Sequence, residues 1–79
     1  PALRRFYAVK DLDATKAGLE ASQIAREVIA HLVGLPGAEV RVTLEIQATF
    51  REEVPEHVMR TITENCRALK FTSHEFAPE

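Results

Sequence analysis

The residues of this chain best suited to chemistry are one cysteine, Cys66, and three histidines, His31, His57 and His74. A thiolate nucleophile needs a base or a cation within reach, and a zinc site needs ligands at spacings such as CxxC, HxxxH or HExxH. No such spacing occurs. His57 and Cys66 are nine residues apart, which places them near opposite sides of one helix. Beside apolar neighbours, a lone cysteine reads as a small buried hydrophobe, and His31 reads as a helix-surface residue. A nucleotide loop would need clustered glycines followed by Lys and Ser or Thr, and Gly18, Gly34 and Gly37 do not supply one. Gly34-Leu35-Pro36-Gly37 has the spelling of a backbone-clamping GxxG loop, but here it joins a helix to a strand pattern rather than two helices. Glu52, Glu53 and Glu56 cluster where a helix begins, which the helix dipole favours without any acid-base role. The expectation is a chain that is not itself an enzyme, with no catalytic, cofactor-binding or metal-ligating residue.

The polar residues that stand out lie near the end. Asn65 borders an apolar stripe, where an amide must find hydrogen-bond partners. The run of Asn65, Cys66, Arg67, Lys70, Phe71, Ser73 and His74 therefore reads as a structural or interaction motif. Backbone groups near Ser73 or His74 are expected to satisfy Asn65, with Phe71 and Phe76 folding the tail back. Arg4, Arg5, Arg60, Arg67 and Lys70 offer a local basic patch, read as solvated surface.

These residues must be positioned by a small set of elements. From Glu39 to Arg51, apolar and polar residues alternate without error: Val40, Val42, Leu44, Ile46, Ala48 and Phe50 share one side, with Glu39, Arg41, Thr43, Glu45, Gln47, Thr49 and Arg51 on the other. That period of two predicts a strand with one covered face. Leu3 to Lys10 predicts a first strand whose inward face is open between two phases, Phe6 and Ala8 with Leu12, which is favoured, or Leu3, Tyr7 and Val9. Asp13 sits at an N-cap position. The apolar residues Ala17, Ala21, Ile24, Ala25, Val28, Ile29 and Leu32 predict a helix from Ala14 to Val33, which Gly34 would close in a left-handed conformation. A second helix is predicted from Pro55 to Leu69 on Val58, Ile62 and Leu69, with Met59 and Cys66 on one flank. Glu56, Arg60 and Glu64 follow at i, i+4 on its solvent side. Lys70 to Phe76 forms either a third, edge strand or an ordered tail. The expected fold is α+β or α/β in two layers, a β-α-β-α order with two helices packed on one face of a small sheet.

The composition, 46% apolar and 28% charged, is that of an ordinary globular domain, and 79 residues allow one. A net charge of −2 gives no global attraction to phosphate backbones or anionic membranes. No apolar run approaches the length of about 18 residues needed to span a bilayer, so no membrane association is expected and the cytoplasm is the default compartment. The outward face of the Glu39–Arg51 strand lacks aromatics and carries Glu45, which disfavours a base-stacking platform. A start at Pro1 and a lone methionine at Met59 point to a piece of a longer protein.

Along nearly its whole length the chain resembles the C-terminal domain of a family of large, poorly characterised prokaryotic AAA-type predicted ATPases. The matching residues include Leu12-Asp13, Ile24-Ala25, Glu27-Val28, His31-Leu32, Leu35 to Val40, Val42 to Ile46 and Val54-Pro55. Most specific are Glu64-Asn65-Cys66-Arg67, Leu69-Lys70-Phe71, Ser73-His74 and Phe76. Around Thr49 to Glu53 it departs from the family's pattern in lacking a glycine. The resemblance implies a parent protein whose ATP-binding motifs lie upstream, and it carries no catalytic residue onto this chain. The function expected is a noncatalytic accessory or protein-interaction module whose partners are other domains of the parent or a second copy. The alternative is a small nucleic-acid-binding module of the same parent, which the mixed charge disfavours.

Overall fold

A computed structural model describes residues 1–78. The chain separates into two units, Pro1–Leu44 and the residues from Glu45 onward, each described here by itself.

The first unit is helical over 14–33 in four consecutive pieces: a 3-10 turn at Ala14–Lys16, α1 at Ala17–Ile24, a π turn at Ala25–Ile29 and α2 at Ala30–Val33. Asp13 caps the start as its position predicts. Its Oδ1 accepts the Thr15 backbone N–H at 2.9 Å and the Thr15 hydroxyl at 2.7 Å. The Lys16 N–H donates to the Asp13 carbonyl at 2.9 Å, the short i→i+3 closure of a 3-10 turn. Glu20 reaches back so that one carboxylate oxygen accepts the Asp13 N–H at 3.1 Å. In the π turn the Ala30 N–H reaches the Ala25 carbonyl, five residues back. This extra residue shifts the phase of the apolar stripe, so Ile24, Ile29 and Leu32 are half-covered while Val28 is 38% exposed and Val33 61%.

Gly34 does not take the left-handed conformation expected of it. It ends α2 with helical angles, φ −70° and ψ −12°, and the positive φ falls on Gly37 at +76°. The Ala38 N–H donates to the Leu35 carbonyl at 3.1 Å, closing a turn with Pro36 second and Gly37 third. Those two residues are the ones a type II turn selects, proline for its fixed φ and glycine for φ above zero.

In the second unit α3 spans Glu56–Ala68. Pro55 caps it from outside, its carbonyl accepting the N–H groups of Val58 and Met59 at 3.0 and 3.1 Å. The covered residues of α3 are Val58, Met59, Thr63 and Cys66, all half-buried, while Ile62 is 42% exposed. The covered stripe is thus turned by about one position from the expected Val58–Ile62–Leu69 line. Leu69, just past the last helical turn, lies open.

The expected sheet is absent. Among the described residues there is no strand, so the two-layer fold, the alpha-beta sandwich and the strands at Leu3–Lys10 and Glu39–Arg51 are corrected, and of the two options for Lys70–Phe76 the edge strand is ruled out: the chain is a helical fragment. A ladder needs a second backbone at about 4.8 Å, and no backbone group from Glu39 to Phe50 hydrogen-bonds to another described segment. Alternation specifies which side of a segment is apolar, and it does not supply the neighbouring strand. The helices consequently have no sheet to cover, and no described residue is buried. No described helix is long and apolar enough to cross a membrane.

Candidate functional site

The residues singled out near the C-terminus are organised by the way α3 stops. Leu69 is its C-cap, with φ −84° and ψ 0°, and Lys70 follows in the left-handed region at φ +62°. The Lys70 N–H donates to the Arg67 carbonyl at 3.0 Å, and the Phe71 N–H to the Cys66 carbonyl at 2.9 Å. Two nested bonds of this kind, around a left-handed residue, make a Schellman motif, which satisfies carbonyls that the end of a helix would otherwise leave unpaired. The motif characteristically sets an apolar residue at C″ against one at C3. Those positions are Phe71 and Cys66, and both are half-buried. The free thiol of Cys66 is thus half-covered at the helix end rather than fully buried.

Asn65 plays a different part from the one expected. Its side chain is exposed and, among the described residues, makes no hydrogen bond, so the amide is not held by Ser73 or His74. Its backbone carbonyl is the useful group, accepting the Leu69 N–H at 2.9 Å. Ser73 and His74 are exposed.

The tail does fold back, through Phe76. Its ring lies 6.4 Å from that of Phe50, tilted by 31°, within the range of aromatic pairs. Phe76 also lines an open groove along α3, whose floor is Met59 and Thr63 and whose rim carries Glu56, Arg60, Glu64 and Arg67. The rim is balanced in charge, and among the described residues one ion pair forms on it, Arg60 Nη2 to Glu56 Oε1 at 3.3 Å with both side chains mostly exposed. Such a pair is worth a few tenths of a kcal/mol. A groove this open and charge-neutral has no convergent polar groups to orient a small molecule.

Other titratable residues are dispersed. Among the described residues, no group of three or more His, Cys, Asp or Glu side chains comes together in a way that would hold a metal ion. The Asp13 carboxyl is held below its ordinary range, because the Thr15 hydroxyl and then the Thr15 backbone N–H bond to its charged form. That is a capping effect, on a fully exposed group.

The large apolar residues between Glu39 and Phe50 lie open to solvent. Val42, Leu44 and Ile46 are 66, 64 and 68% exposed, and Val40 and Phe50 are exposed too. Gln47 Nε2 donates to Glu45 Oε2 at 3.4 Å, the meeting of alternate residues expected where the backbone is extended. The Schellman turn escaped the sequence pattern because lysine stands where glycine is usual. The available signal was the pair of apolar residues Cys66 and Phe71 five positions apart across a helix end.

No protein-family model, curated protein or solved structure matches this chain. The resemblance to the ATPase C-terminal domain thus rests on the quoted residues alone.

Proposed function

We propose that this chain is a noncatalytic protein-interaction module whose apolar residues are covered by a protein partner. The observation that carries the reading is the exposure of its large apolar side chains: Leu3, Tyr7, Leu19, Val42, Leu44 and Ile46 each keep about two-thirds or more of their surface in solvent, while none of the described residues is buried. Ordering a residue's backbone costs on the order of 1 to 2 kcal/mol, and burial of apolar surface is the main term that offsets it. A chain that covers so little of its own apolar surface is completed from outside, and contiguous exposed apolar patches mark interaction sites. Placement at the end of a large ATPase follows from the residue resemblance and enters the proposal on that basis only.

The test is urea unfolding of the chain, followed by circular dichroism at high dilution. The expected result is a shallow, noncooperative loss of helix, because no core melts as a unit. A cooperative transition with the slope of a folded small domain, about 1 kcal/mol/M, would show that the lone chain covers its own apolar groups and would overturn the reading.

A further inference from the structure

We infer that the groove along α3 takes a second copy of this chain, whose own α3 lies antiparallel in it about a two-fold axis at the level of Thr61 and Ile62. The inference rests on the interaction-module reading and names the occupant of one surface. The order of charges on the groove's rim carries it. Glu56, Arg60, Glu64 and Arg67 line the groove together with Met59, Thr63 and Phe76. At about 3.6 residues per turn the four charged residues fall within roughly 80° of the helix circumference, so they stand in one file along α3 with alternating signs.

Such a file is complementary to its own reverse. In the antiparallel pair Glu56 meets the partner's Arg67 and Arg60 meets the partner's Glu64, and the two-fold axis repeats both contacts from the other side. Every rim charge then faces its opposite, and the two helix dipoles run in opposed directions. A parallel copy in register would set each charge against its own kind. Slipping the antiparallel pair by one turn would set Arg60 against the partner's Arg60 or Glu64 against the partner's Glu64. Charge therefore selects both direction and register. A groove on the first unit lacks this order, because its helical lining carries Glu20 and Glu27, and an antiparallel copy there would set acid against acid.

In the lone chain Arg60 leans on Glu56 at 3.3 Å, with side chains 63% and 84% exposed. A pair so open to water is weak, and exchanging it for contacts across the interface costs little. Met59, Thr63 and Phe76, half-buried in the lone chain, give the partner's helix a surface to lie on.

The seven lining residues a side are well below the roughly 20 to 30 of a standard interface, so the dissociation constant is on the order of 0.1 to 1 mM. Sedimentation equilibrium of the full chain from about 20 µM to about 2 mM spans that range. The expected result at low salt is a monomer–dimer equilibrium, weakened severalfold at about 0.5 M salt, where the screening length falls to about 4 Å. Arg60→Glu and Glu64→Arg each turn two attractive pairs into two repulsive ones and should weaken self-association about tenfold. The double variant R60E/E64R again sets opposite charges together in the antiparallel register, and should self-associate like the parent chain. An equimolar mixture of the two single variants should form a mixed pair for the same reason. Both recoveries come only through pairing, so they carry the test even where a single substitution loosens α3.

A strict monomer throughout the range, a dimer indifferent to salt, or a double variant no tighter than the single ones would overturn the inference. Failure here together with noncooperative unfolding at high dilution would leave the interaction-module reading standing with a different protein as partner. Cooperative unfolding of the dilute monomer would instead overturn that reading, on which this inference rests.

Discussion

Lys70 is a lysine in a conformation that usually belongs to glycine, and replacing it makes the helix end measurable. At φ +62° the Cβ crowds the following carbonyl, at a cost of about 1 to 2 kcal/mol relative to the right-handed region. Glycine removes that cost but loses about 0.5 to 1 kcal/mol through the greater freedom of the unfolded chain. Either Gly or Ala also removes a positive charge near the negative end of the α3 dipole. The informative comparison is therefore Lys70→Gly with Lys70→Ala, which share the charge loss and differ by one Cβ. The Gly variant should favour the capped helix over the Ala variant by about 0.5 to 1 kcal/mol, a factor of roughly two to five in the equilibrium. Cα chemical shifts over Glu56–Ala68 report the helix population. Hydrogen exchange at the Phe71 amide, which donates to the Cys66 carbonyl at 2.9 Å, reports the cap itself. Equal populations in the two variants, or faster Phe71 exchange with glycine, would refute the left-handed assignment.

At the first turn, Gly37→Ala should disrupt the Leu35–Ala38 closure because φ is +76° there. Gly34→Ala should cost less, having only to ease a 3.3 Å approach to the Ala30 carbonyl, and amide shifts at Ala38 separate the two. Asp13 is held below its ordinary pKa by Thr15, so its capping contribution is present above the unfolded carboxylate value and is lost as pH falls through the lowered folded one. Proton titration of Asp13 followed by NMR should show the depression shrink in Thr15→Val, which loses the hydroxyl bond and keeps the backbone one, and an unchanged titration would refute the hydroxyl bond. Phe76→Ala should abolish the ring-current shifts on Phe50 and cost the pair interaction of about 0.5 to 1.5 kcal/mol, and unshifted Phe50 resonances in the parent chain would argue against that pairing.

What the sequence made legible was local. Asp13, the apolar spacing from Ala17 to Leu32 and the approach to Pro55 depend on interactions within a turn or two, and the helices appear there with boundaries within a residue or so. The Glu39–Arg51 alternation was legible as a pattern and misleading as a fold, because a helix makes its hydrogen bonds within its own segment while a strand takes them from elsewhere. Asn65 illustrates the same limit at one residue: its place beside an apolar stripe presumed a core that the chain does not build. Gly34 and Gly37 sit three apart in one loop, and which of them takes the positive φ is settled by Pro36 directly before Gly37.

The open backbone between Glu39 and Phe50 also bears on how long the molecule survives. Proteolysis of most folded domains must wait for a local opening whose population falls with its free energy. Here no hydrogen bond to another described segment has to break before a protease can draw these residues into its cleft. Cleavage of the uncovered chain is then limited by encounter rather than by opening. On the proposed interaction-module reading, a partner lying over this segment would add the missing opening step, and copies left without one would be cleaved first.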